Sequence, residues 1–294
     1  MKLLIVLSIL VVSYLVTISN NQGTKPLITI LLTGDVMLGR TVMTTSLDDK
    51  NDPTYPFREV SDVLKSADIT FINLENPVVT NCPETVVGLI FCADPKMVQG
   101  LTYAGVDIVN LANNHSKNYG QSGVDQTVNY LKQANIASIG LNNVTMKQSS
   151  NVKFAFVGFD KSQQANPKLT QDEKNLLIKA NLESDVLIVA MHWGVEYQNK
   201  ALPGVRALAK ELVDLGAEVV VGHHPHWVQD WETIGDTPVF YSLGNFIFDQ
   251  MWSENTRKGM AVRLTFDGVK LVKQEFLPVF MQNHAQPRFV NNLN

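Results

Sequence analysis

The sequence predicts an α/β fold, a sheet covered by helices, on three observations. Apolar runs of strand length recur along the chain, and each ends in a polar loop rich in Gly, Asn or His. Between several of them lie segments whose apolar residues repeat at helical spacing. Towards the C-terminus the pattern changes to apolar-polar alternation on both sides of Asp267-Gly268, the signature of an antiparallel hairpin. Alternating strands and helices are accommodated by a sheet with helices on its faces.

Taken in order, Leu27 to Leu32 reads as a buried strand that ends at Thr33-Gly34-Asp35. Ile69 to Ile72 runs into Asn73-Leu-Glu-Asn-Pro77, and Asp107 to Leu111 into Ala112-Asn-Asn-His-Ser116. Val186 to Ala190 runs into Met191-His-Trp-Gly194, Val219 to Val221 into Gly222-His-His-Pro-His226, and Val239 to Tyr241 into Ser242-Leu-Gly-Asn245. Helices are predicted over Pro95 to Tyr103, over Gly123 to Gln133 and over Val205 to Leu215, the last stopped by Gly216. Met260 to Phe266 and Val269 to Pro278 form the hairpin, expected at the edge of a second sheet. A single domain is expected over 27–281, with 282–294 as a tail.

Composition narrows the function. The 294 residues carry a net charge of −4, which lacks the basic footprint of a nucleic-acid binder. Lys2 precedes an apolar run from Leu3 to Ile18, the pattern of a membrane anchor or a cleaved signal peptide within 1–20. Either reading sends the rest of the chain across a membrane, to the extracytoplasmic face or beyond. Cys82 and Cys92 are the only cysteines. In an oxidising compartment they are expected to close a short surface loop as a disulfide, with two unpaired thiols as the alternative.

The strand ends deliver an unusual set of side chains. Five of the six histidines follow apolar strands directly, alongside Asp35, Glu75, Asn76, Asn113 and Asn114. Ligands bind such sheets beyond the carboxyl ends of the strands. Carboxylate, amide oxygen and imidazole together suit zinc, manganese or iron. Asp35, Glu75, Asn114, His192, His224 and His226 are numerous enough to hold one or two divalent ions, two if one group bridges. On an extended segment, His224 and His226 would project to the same side, with Pro225 stiffening the backbone between them. His115 is placed to protonate a leaving oxygen as a catalytic acid. Arg40, Asn76, Glu196 and Asn245 lie close by in sequence and are expected to contact a substrate.

With these residues in view, the chain resembles the CapA family of poly-gamma-glutamate capsule proteins. The resemblance rests on Thr33-Gly-Asp-Val-Met-Leu-Gly-Arg40, Asn73-Leu-Glu-Asn-Pro77, Asp94-Pro95 and Gly105 to His115. It continues through His192-Trp-Gly-Val-Glu-Tyr197, Gly222 to His226 and Tyr241 to Asp249, in family order. The family is similar to the calcineurin-like metallophosphoesterases, which implies a four-layer α/β/β/α sandwich with a dinuclear metal site. By that resemblance Asp35 is the first-motif aspartate and Glu75 the bridging carboxylate. Asn114 and His115 match the Asn-His pair, His192 the lone histidine, and His224 with His226 the final His-x-His. Two positions depart: Met37 stands where the phosphoesterases place a histidine, and Asn118 stands where the family commonly has Asp. The resemblance further implies a membrane-tethered hydrolase of capsule synthesis, export or attachment. Its expected partners are membrane-embedded synthesis proteins and poly-gamma-glutamate. The alternative is a non-catalytic assembly factor for a membrane polymer synthase, with a degenerate or structural metal site.

Overall fold

A computed structural model describes residues 26–162, 164 and 166–293; the apolar N-terminal segment lies outside them. Among the described residues, no helix is long and apolar enough to cross a membrane. The strands are β1 Ile28–Val36, β2 Ile69–Leu74, β3 Ile108–Asn110, β4 Ala137–Ile139, β5 Thr145–Ser149, β6 Val152–Asp160 and β7 Val186–His192. They continue as β8 Val219–His223, β9 Trp231–Ile234, β10 Thr237–Phe240, β11 Asn245–Ile247, β12 Lys258–Asp267, β13 Lys270–Met281 and β14 Pro287–Phe289. The α-helices are α1 Arg40–Thr44, α2 Ser61–Lys65, α3 Val98–Tyr103, α4 Gly120–Gln133, α5 Gln171–Glu183, α6 Pro203–Asp214 and α7 Glu254–Arg257.

Among the described residues these strands make two sheets. One runs β14-β13-β12-β1-β2-β3-β4 with β11 also paired to β1, and the other runs β5-β6-β7-β8-β10-β9. Strand parity explains how they stack. In β7, Val186, Ile188 and Ala190 face the other sheet and join a core with Ile28, Ile30 and Leu32 of β1 and Ile69 and Phe71 of β2. Leu187, Val189 and Met191 point the opposite way and pack under Leu177 of α5 and Leu208 and Leu212 of α6. On the far side of the first sheet, Ile72 and Val109 pack under Leu101 of α3 and Leu131 of α4. Strands apolar on both faces require cover on both faces, and the outcome is the four-layer α/β/β/α sandwich.

The structure corrects two expectations. The C-terminal hairpin does not edge the second sheet: β12 runs antiparallel to β1 from Ile28↔Phe266 to Thr33↔Ala261 and so belongs to the first. Its alternating pattern shows a hairpin but carries no information about its partner. Within the stretch expected as a tail, β14 pairs with β13 from Val279↔Phe289 to Met281↔Pro287. The reading also passed over β6 and α5, although Val152 to Asp160 is buried along most of its length and Thr170 caps α5 in a reciprocal box with Glu173. The expected helices are present to within a few residues of their bounds, with Gly216 ending α6 at φ 100°, a conformation that glycine adopts without Cβ strain.

Candidate metal centre

The parity that builds the core also builds the site. Continuing the inward face of β7 by one step reaches His192, and continuing that of β2 past Asn73 reaches Glu75. Both strands therefore aim a polar residue into the seam between the sheets at their carboxyl ends. Asp35 arrives from β1 through an irregularity in the pairing with β2 between Leu32 and Asp35, which re-aims the strand end. Gly34 makes this possible, since a Cβ there would lie 2.1 Å from Gly244 O.

Asp35, Glu75 and His192 are buried, and each offers a ligand atom within 4.8 Å of the others, a cluster able to hold one divalent cation. Neighbouring distances extend it. His192 Nε2 is 2.9 Å from Asn114 Oδ1 and 3.9 Å from Glu75 Oε1. His226 Nε2 is 3.6 Å from Glu75 Oε1, and His226 Nδ1 is 3.2 Å from Asp35 Oδ2. Ligands about 2.1 Å from a common ion stand roughly 3–4.2 Å apart, from adjacent to opposite. The observed separations fall in or at the edge of that window. The decisive atom pair is on Glu75: both carboxylate oxygens are buried and neither has a hydrogen-bond partner. A carboxylate in that condition needs a cation or a proton. The residues therefore fit a metal ion.

The electrostatics agree. Burial pushes the Glu75 carboxyl well above the usual carboxylate range. Burial also pulls His192 well below the usual imidazole range, with His224 adding to the effect. His224 is pulled down to about 4 by burial and by His226. In His226 burial is outweighed by Glu75 and Asp35, which push it up to about 9.

His224 and His226 meet the cluster by a different backbone from the one expected. β8 ends at His223, and His224 and His226 have φ of 99° and 58°, left-handed conformations rather than an extended segment. Such backbone costs on the order of 1–3 kcal/mol per non-glycine residue and is found where surrounding contacts over-determine it. The rings lie 6.2 Å apart, and His224 stands 4.8 Å from the ring of His192.

His115 sits beside the cluster. Its Nε2 is 3.8 Å from Glu75 Oε1, Phe91 stacks on its ring at 4.0 Å, and its Nδ1 is 3.1 Å from Asn118 Oδ1. The Phe91 backbone N–H also donates to that oxygen, at 2.7 Å. Phe91 belongs to the loop closed by the Cys82–Cys92 disulfide. Arg40 donates to Gly88 O in the same loop at 2.7 Å and pairs with Asp249.

Of the residues expected to touch a substrate, three have their side chains engaged by other groups of the protein. Arg40 is engaged with Asp249, Gly88 O and the face of Phe91. Asn76 is buried, accepting from Leu38 N–H and donating to Pro77 O. Asn245 is buried and spends its amide on His226, Gln250 and Thr256. Only Glu196 lies at the rim, half-buried, beside Tyr197, whose ring is 6.1 Å from that of His226. Met37, two residues after Asp35, is buried in the core on the helix side, and its sulfur accepts from Gly39 N–H.

Sequence reading missed the supports. Asn110 is oriented by Ala112 N–H and donates to Asn73 Oδ1 at 2.9 Å; Asn73 in turn donates to Asp35 Oδ1 at 2.9 Å. The signal was an asparagine inside each of two apolar strands, where an amide is tolerated only if fully bonded.

The comparisons with known proteins follow the same lines. Residues 29–250 match the family described as bacterial capsule synthesis protein PGA_cap. The "Capsule biosynthesis protein CapA" of Bacillus anthracis is 32% identical over 252 residues, covering 77% of this chain and 61% of that protein. The "PGA biosynthesis protein CapA" of Bacillus subtilis is 28% identical over 241 residues, covering 75% and 63%. The chain thus spans about three-fifths of the length of these curated relatives. Among solved structures, a phosphatase from Mycoplasma pneumoniae aligns with a TM-score of 0.54 at 14% identity, covering 88% of this chain and 95% of that one. A hypothetical protein from Thermus thermophilus aligns with a TM-score of 0.54 at 16% identity, covering 85% and 98%. At this identity the structural likenesses concern the fold alone. The chain belongs to the bacterial capsule synthesis protein PGA_cap family.

Proposed function

We propose that this protein is a metal-dependent hydrolase of phosphoesterase type, acting at the extracytoplasmic face of the cell membrane in the making, export or attachment of a poly-gamma-glutamate capsule. One observation carries the hydrolase reading: the buried, unpartnered carboxylate of Glu75 at the meeting point of Asp35, Asn114, His192 and His226. The names of the relatives support the pathway. The apolar run from Leu3 to Ile18 supports a membrane address, and with it membrane-embedded synthesis proteins as partners.

The mixed nitrogen and oxygen donors favour manganese, zinc or iron. Asp35, Glu75, Asn114, His192 and His226 would hold the ion or ions, with His224 beside them. When bound, the metal supplies Lewis-acid polarisation of a phosphoryl or acyl oxygen. The chain's own residues do the rest. Glu75 holds the centre's negative charge away from water. Phe91 and Asn118 fix the plane of the His115 ring, so that Nε2 points to the centre and can pass a proton to a leaving oxygen. Met37 supplies no ligand where the phosphoesterases have a histidine, which favours one tightly held ion over two and keeps the assembly-factor reading as the rival.

The test is metal analysis of the purified full chain with manganese-dependent turnover of an aryl phosphate. One or two ions per chain, with turnover that disappears in His226→Ala, support the hydrolase. A chain that binds metal but turns over no ester leaves the assembly factor. A chain that takes up no metal removes the hydrolase reading and leaves the assembly factor with a degenerate site.

A further inference from the structure

His226 approaches the cluster with both ring nitrogens near a carboxylate. Nδ1 lies 3.2 Å from Asp35 Oδ2 and Nε2 lies 3.6 Å from Glu75 Oε1, so distance alone leaves either nitrogen as the ligating atom. Asn245 separates the two. It begins β11 and is fully buried, and its Oδ1 lies 2.9 Å from His226 Nδ1. Its Nδ2 donates to Thr256 O at 2.8 Å and to Gln250 Oε1 at 3.1 Å. A backbone carbonyl can only accept, so turning the amide over would set its oxygen against Thr256 O.

The Thr256 end is itself held firmly. Its hydroxyl bonds Gln250 O at 2.7 Å and Ser253 O at 2.9 Å, and its N–H donates to the Ser253 hydroxyl that caps α7. Gln250 is oriented from its far side by Tyr197, whose hydroxyl accepts from Nε2 at 3.3 Å. The Asn245 oxygen therefore faces His226, and an acceptor in that position calls for a proton on Nδ1.

We propose that Asn245 is a positioning residue that holds His226 with its proton on Nδ1, leaving Nε2, on the Glu75 side, as the atom presented to a metal ion. The inference rests on the metal reading given under Proposed function. A metal on Nδ1 would leave the Asn245 oxygen facing a coordinated nitrogen with no proton between them. It would also place the ion beside Asp35 and away from the unpartnered oxygens of Glu75. An acceptor behind the second ring nitrogen is a common way to orient a metal-binding histidine. Here a neutral amide does it and adds no further charge to a site that already buries two carboxylates.

The test uses the full chain in detergent micelles, labelled with 15N at histidine and loaded with zinc alone. Long-range proton–nitrogen correlation tells a metal-bound Nε2 from a metal-bound Nδ1, with the His226 signals identified by their loss in His226→Gln. The expected spectrum has zinc on Nε2 and a slowly exchanging proton on Nδ1. Asn245→Ala is expected to quicken exchange of that proton, with Asp35 Oδ2 at 3.2 Å as its remaining acceptor, and to weaken zinc binding about 10–100-fold. Asn245→Asp, which keeps an oxygen facing Nδ1, is expected to retain the proton. Zinc on Nδ1 in the parent overturns the inference, as does an alanine variant with unchanged affinity and proton protection. If the alanine variant does not fold, the parent spectrum still decides. A parent that binds no zinc fails the metal reading instead, a separate result from zinc bound through Nδ1.

Discussion

His226 Nε2 stands 3.6 Å from Glu75 Oε1, too far for a hydrogen bond and close enough for both to reach one ion. The same spacing recurs between Glu75 and His192 at 3.9 Å and between Glu75 and His115 at 3.8 Å. Glu75 is thus ringed by imidazoles without being bonded to any of them. Four predictions follow from this centre and the backbone that supports it.

Glu75→Gln keeps the shape of the side chain and removes its charge. In the parent, metal at a hundredfold excess over Kd should raise stability by about 2.7 kcal/mol. In the variant that increment should largely vanish, and the metal-free protein should lose the attraction between the Glu75 carboxylate and the His226 ring. Thermal unfolding with and without manganese measures both. A variant still stabilised by metal would remove Glu75 from the ligand set.

His115→Gln should separate binding from chemistry. His115 flanks the cluster and is held by Phe91 and Asn118 rather than by the other candidate ligands. Metal content should stay at the parent level, while turnover of an aryl phosphate falls about 10²–10⁴-fold. Loss of metal together with turnover would make His115 a ligand and not a proton donor.

The disulfide should matter to the centre as well as to stability. Cys82 and Cys92 are ten positions apart, and a loop of that length contributes about 3 kcal/mol by chain entropy. Cys82→Ser with Cys92→Ser should lower the urea midpoint accordingly. Because Phe91 N–H orients Asn118 and the Phe91 ring covers His115, hydrogen exchange at Phe91 should also quicken. Unchanged exchange there would mean that the loop base holds without the bridge.

Gly34→Ala tests the close approach of β1 to the loop that precedes β11. The added Cβ would meet Gly244 O at 2.1 Å, and backbone cannot move aside as a side-chain tip can. The cost should be about 1–3 kcal/mol or more. Since β11 carries Asn245, metal affinity should fall as well. An alanine variant with parental stability and affinity would show that the two segments can separate without disturbing the site.

The sequence by itself determined the parts that depend on local pattern. Apolar runs on Val186 to Ala190 or Val219 to Val221 can be buried only as core strands, and the polar residues that follow them must surface at one edge. That pattern brings Asp35, Glu75, Asn114, His115, His192, His224 and His226 to one edge. Only the tertiary structure decided what depends on who packs against whom. The alternation in Met260 to Phe266 fits either sheet, and it is the pairing with β1 that assigns it to the first. The expected direction of the His224-Pro225-His226 segment failed because β8 stops one residue earlier and the chain turns left-handed there. Asn245 and Asn76 look like substrate contacts from their position beside the motifs. Both are buried and bonded within the protein, Asn76 to Leu38 and Asn245 to His226, 38 and 19 residues away along the chain, and sequence spacing does not report such partners.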